Sequence, residues 1–320
     1  MKVNIKDVAE KSGFSPATVS RVFNRHPNVR DEVRHKVIAA ALELGFVPHS
    51  SGGKKVIAII TGSYNCIPVC GYLAMAITAL TREIFSHGFS MELVPEQDVG
   101  LLHENMVCGA ISLMYDDNFN SRWGRENNIP LIGVNSVGHH GDGVYAVGSN
   151  EMQGMRLAFE YLHGCGHRRI GLLISGKPDN WCNRTRLEGF KAAAQALRCL
   201  ASAENYRFVG TENIYEPLGQ LLQLGVTAII ATGESAGIAV AYALNIFGKR
   251  IPQDISLISH EQDNTSRYCI PRQTTLSQDF GCIGRLAVSM MEDILAGRPP
   301  LHDALVDYNL IKRDSVATLR

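Results

Sequence analysis

Apolar residues near the start of the chain recur with helical spacing. Ile5, Val8 and Ala9 lie three and four positions apart, and a glycine follows the run. A second helix is predicted to begin at Pro16, because Ser15 can accept a hydrogen bond from the first free amides and proline needs no amide donor at a first helical position. The pattern predicts two short helices joined by a turn.

The second predicted helix has two unlike faces. Val19, Val22 and Phe23 share one face and are predicted to be buried. The opposite face carries short side chains and one long cation: Pro16, Ala17, Thr18, Ser20, Arg21 and Asn24. A third helix is predicted from Asp31 to Leu44, with Gly45 as its stop. Three such helices can bury one small core, and the polar face of the second suits a DNA groove.

From Val56 onward, short β-rich runs alternate with helical ones, which predicts parallel sheets flanked by helices. In the first half, strands are predicted at Val56 to Ile60, Met91 to Val94, Ala110 to Met114 and Leu131 to Val134, and helices at Gly71 to His87 and Phe119 to Asn127. Pro95 to Val107 is too short for a full crossover helix.

The second half repeats the alternation. Its predicted strands are Val144 to Val147, Arg169 to Ile174, Tyr206 to Val209, Ala228 to Ala231 and Ile255 to Ser259. Its predicted helices are Glu151 to His163, Thr185 to Leu200, Leu218 to Leu224 and Ala236 to Phe247. The predicted fold class is therefore α/β, with a three-helix head and two doubly wound lobes.

Composition adds the charge distribution to this picture. The chain has 320 residues and no net charge, yet residues 1–55 hold ten basic and five acidic side chains, so a head of +5 precedes a body of −5. A basic end points to a polyanion such as DNA. The sequence has neither an apolar run of about 18 residues nor the apolar stretch of a signal peptide near its start, so a cytoplasmic protein without a membrane partner is expected.

The sequence gives little support to a metal site or an enzyme. The eight cysteines are expected to be reduced, and Cys66 and Cys70 lack a second pair at zinc spacing. Gly171 to Pro178 approaches a phosphate-binding loop, but Pro178 replaces the serine or threonine that would hold magnesium. We therefore expect no catalytic residue, no metal and no cofactor.

The head resembles the LacI/GalR family of bacterial transcription regulators. The resemblance rests on Ile5-Lys6-Asp7-Val8-Ala9, Gly13, Ser15, Thr18-Val19-Ser20-Arg21-Val22, Asn24 and Leu44-Gly45-Phe46-Val47-Pro48. It extends into the body at Gly164-Cys165-Gly166-His167-Arg168-Arg169-Ile170-Gly171, Arg186-Leu187-Glu188-Gly189-Phe190, Ile251-Pro252-Gln253-Asp254-Ile255 and Thr274-Thr275-Leu276. It implies a helix-turn-helix head and a body like that of periplasmic binding proteins.

The resemblance also implies the domain bounds. The helix-turn-helix domain is expected over residues 1–48, a short linker over 49–55 and the two-lobed body over 56–320. Lobe 1 is expected over about 56–146 plus 276–305, and lobe 2 over about 147–275 plus 306–320. The family's hinge helix carries a leucine that wedges into the minor groove, whereas this linker has two glycines and no leucine.

The same resemblance assigns roles on the second helix. Pro16, Ala17 and Arg21 match the positions that read base edges, and the fork of Arg21 can meet the O6 and N7 acceptors of guanine. The matching phosphate-contacting positions are Thr18, Ser20 and Asn24.

A ligand is expected in the cleft between the lobes, beyond the carboxyl ends of the strands. Arg186 matches the family's effector-contacting arginine, whose donors can hold sugar hydroxyls or an acid. The other candidates are Tyr72, Asn135, Thr232 and Glu261, each of which could equally be a packing residue. Glu261 stands where the family usually has an aspartate, in the role of the hydroxyl-accepting carboxylate, and Thr232 stands where many members have asparagine.

The predicted function is a DNA-binding transcription regulator, a repressor by expectation, that binds a near-palindromic operator as a homodimer. Its effector is expected to be a small molecule, by default a sugar or glycoside, with a nucleobase as the alternative. Family resemblance places a dimer contact on the helix from Gly71 to His87. Two alternatives remain: a regulator whose altered cleft needs no small effector, and a solute-binding protein, which predicts a signal peptide and no DNA-reading head.

Overall fold

The computed structural model describes residues 3–23, 26, 28–44, 46, 55–62, 71–102, 107–114, 116–138, 142–210, 213–233, 235–260 and 265–319. The predicted linker over 49–55 lies outside these ranges except for its last residue. Asn24, Gly45, Glu261 and the pair Cys66 and Cys70 also lie outside them. None of the helices that are described is both long and apolar enough to cross a membrane.

Three helices form the head, as the apolar spacing predicts: α1 (Ile5–Ser12), α2 (Pro16–Phe23) and α3 (Asp31–Glu43). The side chain of Asn4 caps α1, and Gly13 ends it at a φ of 76°. The Ser15 hydroxyl accepts the backbone N–H of Thr18 at 3.1 Å and so caps α2, which confirms the predicted start of the second helix. The head core contains Val8, Ala9, Val19, Val22, Phe23, Val37, Ile38, Ala40 and Ala41.

Lobe 1 is built on a six-stranded parallel sheet with the order β11-β5-β4-β3-β1-β2. The strands are β1 (Val56–Thr61), β2 (Ser90–Pro95), β3 (Val107–Ser112), β4 (Leu131–Val134), β5 (Val144–Ser149) and β11 (Ala304–Val306). The helices around it are α4 (Gly71–Ser86), α5 (Asp117–Glu126) and α10 (Phe280–Leu295). Among the described residues between β2 and β3, which end at Leu102, the one helical element is the 3₁₀ helix Glu96–Leu102, in agreement with the prediction that this connection is too short for a long crossover helix.

Lobe 2 has a second six-stranded sheet with the order β12-β10-β9-β8-β6-β7, in which only the β10–β12 pair is antiparallel. The strands are β6 (Ile170–Ser175), β7 (Tyr206–Val209), β8 (Ala228–Thr232), β9 (Ser256–His260), β10 (Thr274–Ser277) and β12 (Asn309–Ile311). The helices are α6 (Glu151–Gly164), α7 (Trp181–Ala196), α8 (Tyr215–Gln223) and α9 (Ala236–Ile246). Helices cover both faces of each sheet, which is why most strands are continuous apolar runs.

The structure corrects the expected crossover points between the lobes. Val144 to Val147 was assigned to the second half, but β5 belongs to the sheet of lobe 1 and continues to Ser149 because Val147 to Ser149 pair with β11. The chain therefore first crosses after Ser149, not near Ala146. It crosses again after Ser277, since Leu276 pairs with both β9 and β12. The third crossover lies between β11 and β12.

Two helices differ most from their predicted form. Helix α7 begins at Trp181 instead of Thr185, because the Asn180 side chain accepts the backbone N–H of Asn183 and caps it one turn earlier. Helix α10 was not predicted, although its N-cap Asp279 and its buried apolar face are regular. It packs against α4 and returns the chain to lobe 1.

Candidate functional site

The first candidate site is the outer face of α2. Pro16, Ala17 and Arg21 are exposed, while Thr18 and Ser20 are half-buried. The exposed residues lie opposite Val19, Val22 and Phe23, which are buried in the head core. The Thr18 hydroxyl lies 3.0 Å from the Ser15 hydroxyl. The Arg21 guanidinium makes no hydrogen bond or ion pair with the residues that the structure describes, so its fork remains available for a base edge.

The second candidate site lies where the three crossovers meet the carboxyl ends of β4, β5, β8 and β9. Asn135, just after β4, adopts a left-handed φ of 53°. Its amide donates to the Tyr72 hydroxyl at 3.0 Å and its side-chain oxygen accepts the Ser149 N–H at 2.7 Å. The Cys182 thiol of lobe 2 donates to the Asn135 carbonyl at 3.2 Å. The structure thus brings Tyr72 and Asn135 together at a contact between the lobes.

Arg186 is not free in this region, because Glu151 holds its guanidinium. Its Nε and Nη2 atoms each lie 2.8 Å from a different carboxylate oxygen of Glu151, and Nη1 donates to Asn183 at 3.1 Å. Both partners are buried, Arg186 being 7% exposed and Glu151 1%. Burial alone would lower the pKa of Arg186, but the Glu151 carboxylate outweighs it and the pKa lies well above its usual value. The pair joins α6 to α7 as a bidentate ion pair.

Tyr308 extends this pair into a network across the crossovers. Its hydroxyl donates to Glu151 at 3.0 Å and accepts the side-chain amide of Gln278 at 2.8 Å. The Gln153 side-chain oxygen accepts the Tyr308 backbone N–H at 2.9 Å, and the Gln153 side-chain amide donates to the Tyr308 carbonyl at 3.3 Å. Burial, and then the Glu151 carboxylate, raise the pKa of Tyr308 well above its usual value, so the phenol keeps its proton.

His260, at the end of β9, completes the cluster. Its ring stacks on the Tyr308 ring with centroids 5.7 Å apart and planes at 27°. The Gly233 N–H approaches Nδ1 at 3.5 Å. The Nε2 atom is buried and finds no hydrogen-bond partner within the described ranges. Burial, together with the positive charge of Arg186, lowers the pKa of His260 well below its usual value, so the imidazole is neutral.

The remaining expected ligand residues are placed less favourably. Thr232 is 0% exposed and its hydroxyl donates within the sheet to the Leu173 carbonyl at 3.4 Å. Glu261 lies outside the described residues. Glu151, Tyr308 and Gln278 are not predicted from the sequence as site residues. The polar residues that follow the strand, Ser149-Asn150-Glu151, are the feature of the sequence that could have indicated Glu151. Nothing in the sequence indicates that Tyr308, more than 150 positions away, contacts it.

Two family models match the chain. Residues 4–49 match the family described as bacterial regulatory proteins, lacI family, and residues 159–316 match the periplasmic binding protein-like domain. The HTH-type transcriptional repressor PurR of Klebsiella pneumoniae (strain 342) is 30% identical over 98% of this chain and 96% of that protein. The PurR of Proteus mirabilis (strain HI4320) is 28% identical over the same shares of the two chains.

Solved structures share the fold along the whole chain. The complex of the transcriptional regulator CelR with cellobiose superposes with a TM-score of 0.72 and 22% identity, covering 98% of this chain and 99% of CelR. The lac repressor dimer bound to operator and the anti-inducer ONPF gives a TM-score of 0.70 and 23% identity, covering 99% and 100%. At these identities the similarity establishes the architecture of a head and two lobes.

Proposed function

Because the chain belongs to the LacI family of bacterial regulatory proteins, we propose that it is a transcriptional repressor whose homodimer binds a near-palindromic operator under the control of a small molecule in the interlobe cleft. The observation that carries the proposal is the outer face of α2, where Pro16, Ala17 and Arg21 are exposed above a buried apolar face. A head with this face and a net positive charge can enter the major groove and neutralise phosphates.

On the DNA side, we assign base reading to Pro16, Ala17 and Arg21. The phosphate contacts are assigned to Thr18, Ser20 and Asn24. Two heads are required because one module of this size buries too little surface for tight, specific binding. The lac repressor in the operator complex is likewise a dimer. Twofold pairing of the heads makes the operator a near-palindrome of two half-sites.

On the effector side, the support comes from the polar groups that converge between the lobes. Tyr72 and Asn135 come from lobe 1, while Arg186 and His260 come from lobe 2. A sugar or glycoside suits such hydroxyl and amide groups, and CelR holds cellobiose. Ligand binding between two lobes shifts the population of their relative positions, and through the linker the mobility or spacing of the paired heads.

The DNA-binding half of the proposal is tested by selecting binding sites from random duplex DNA with the purified full chain. The selected site is then titrated by fluorescence anisotropy at two salt concentrations. We expect a near-palindrome whose affinity falls steeply with salt. Salt-sensitive binding without a preferred sequence would contradict operator reading and would point to the missing hinge leucine as the decisive change.

Arg21→Ala tests the assignment of the base-reading residue. We expect it to weaken binding to the selected site by about 1–3 kcal/mol while binding to unrelated DNA changes little, since a bidentate contact to guanine discriminates by that amount. Arg250→Ala, which removes an exposed arginine of lobe 2, is the control and should leave both affinities unchanged. An equal loss of specific and nonspecific binding would show that Arg21 contacts only phosphate.

A further inference from the structure

The buried cluster between the lobes is electrically balanced without a ligand. Arg186 is the one arginine or lysine among the described residues that are buried, and both oxygens of the Glu151 carboxylate meet its guanidinium. The Tyr308 hydroxyl donates a hydrogen bond to the same carboxylate. The cation expected to anchor an acidic effector therefore already has its counter-ion within the protein.

One polar atom of the cluster remains without a partner. The Nε2 atom of His260 is buried and unpaired within the described ranges, although the ring is fixed by stacking on Tyr308. The Gly233 N–H points at the Nδ1 atom from 3.5 Å. When Nδ1 accepts, a neutral imidazole carries its proton on Nε2. A buried donor without an acceptor is costly, and a ligand oxygen that accepts this proton removes the cost.

Resting on the proposed function, we infer that the effector of this protein is an uncharged molecule that accepts a hydrogen bond from His260 Nε2. Among the described residues Arg186 is the only buried arginine or lysine and it is already paired, so an anionic group placed beside it would be buried without a counter-ion of its own, which is strongly unfavourable. Neutral compounds with hydroxyl, ether or carbonyl acceptors meet no such penalty. Phosphorylated sugars, sugar acids and nucleotides are therefore expected to bind more weakly than their uncharged counterparts.

His260 also connects the ligand to the segments that join the lobes. Its ring lies on Tyr308, in the third crossover, and the Tyr308 hydroxyl binds Gln278 in the second crossover and Glu151 just after the first. A contact that moves the imidazole therefore acts on all three crossovers. Arg186 holds Glu151 in this network as a positioning residue.

The neutral class is tested with matched probes that differ only in charge: ribose and ribose 5-phosphate, glucose and glucose 6-phosphate, and adenosine and adenosine 5′-monophosphate. Thermal shift and calorimetry on the full-length protein report binding. We expect the uncharged member of at least one pair to bind and its phosphorylated partner to bind at least tenfold more weakly. Equal or tighter binding of a phosphorylated member overturns the inference.

Absence of binding by all six probes also overturns it, and favours a regulator that needs no small effector. Operator binding, measured separately on the same preparation, decides whether the proposed function fails as well. If operator binding is normal, the proposed DNA-binding function stands and only the inferred effector class fails. Loss of operator binding contradicts the proposed function itself.

His260→Leu tests the contact residue. It should weaken binding of the probe by about 2–10-fold, the effect of one neutral hydrogen bond. His302→Leu removes an exposed histidine of lobe 1 and is the matched control. An unchanged probe affinity in His260→Leu overturns the assigned contact.

Glu151→Gln supplies a second readout with inorganic phosphate as the probe. The change removes the counter-ion of Arg186, so phosphate should raise the melting temperature of this variant but not that of the wild type. Glu160→Gln, an exposed position on the same helix, is the control. Phosphate stabilisation of the wild type equal to that of the variant overturns the inference. If Glu151→Gln does not fold, the probe affinities of the wild type and of His260→Leu test the inference.

Discussion

At the scale of single residues, Arg186 has a different chemical role from the one that its sequence motif implies. A planar guanidinium can bind a ligand only with donors that the protein leaves unused. Here three of the five N–H donors are engaged, those of Nε and Nη2 with Glu151 and one of Nη1 with Asn183. The residue thus stabilises the junction of α6 and α7 first, and its influence on an effector passes through Glu151 and Tyr308.

Arg186→Ala is therefore expected to destabilise the protein as well as to remove the effector response. The change leaves the Glu151 carboxylate buried without its counter-ion, which costs about 3–5 kcal/mol in comparable buried pairs. Urea unfolding monitored by circular dichroism measures the loss. Arg250→Ala breaks an exposed pair with Asp254 and should change the free energy of unfolding far less. Equal effects of the two changes would contradict the structural role of Arg186.

At the scale of elements, α6 contains a close approach that positions the network. Gly154 lies on this helix directly against the Tyr308 ring, and a Cβ atom there would come within 2.7 Å of Cδ2. The ring cannot move away freely, because its hydroxyl is bound to Glu151 and Gln278 and its backbone to Gln153. Glycine at this position thus permits the third crossover to lie on α6.

Gly154→Ala is expected to lower the free energy of unfolding by about 1–3 kcal/mol, the usual cost of overpacking a buried contact, despite the higher helix propensity of alanine. Gly164→Ala in the same helix is the matched control, since a Cβ atom there meets nothing within 4 Å. Denaturant titration of both variants checks the expectation. A Gly154 variant as stable as the Gly164 variant would contradict the contact with Tyr308.

At the scale of the whole molecule, helix α9 exposes an apolar surface that we expect to lie at a contact between two copies of the chain. Ile238, Tyr242 and Ile246 follow one another at four-residue spacing and are 45%, 62% and 60% exposed. Contiguous apolar surface of this kind marks an interface. We therefore expect this face to contribute to the homodimer beside the expected contact on α4, where Phe85 is 52% exposed.

Tyr242→Asp is expected to shift the protein from dimer to monomer at micromolar concentration, because a carboxylate would be buried in an apolar contact. Light scattering coupled to size exclusion measures the mass. Leu301→Asp, at an exposed apolar position of lobe 1 that belongs to neither α4 nor α9, is the control and should remain dimeric. A dimeric Tyr242 variant would place the interface elsewhere.

Two histidines of lobe 2 are expected to make the stability of the protein depend on pH. Burial lowers the pKa of His167, whose ring nitrogens contact Thr227 and the Ala317 carbonyl, and burial likewise lowers that of His260. Below the usual histidine pKa of 6.5, the unfolded chain binds more protons than the folded one. The free energy of unfolding should therefore fall as the pH decreases below 6.5.

Urea titrations at pH 7.5, 6.5 and 5.5 measure this dependence. Replacing His167 or His260 by glutamine should flatten it, since each variant removes one group that takes up a proton on unfolding. His302→Gln, at an exposed position, should keep the wild-type slope. A slope unchanged in both buried-histidine variants would assign the pH dependence to other groups.

The sequence by itself determined the features that depend on neighbouring residues. Helical spacing and the Ser15-Pro16 start gave α2, and alternation of apolar runs with helical ones gave two lobes with parallel sheets. Composition located the positive charge in the head. These features follow from hydrogen bonding and burial within about 20 residues, so they can be read along the chain.

Only the tertiary structure decided the chemistry of the cleft and the crossover points. Whether Arg186 is free depends on Glu151, 35 positions earlier, and on Tyr308, more than 120 positions later. The end of β5 was set by its pairing with β11, a strand of three residues without a sequence signal of its own. Contacts between distant segments determine which polar groups remain for a ligand, and no local pattern records them.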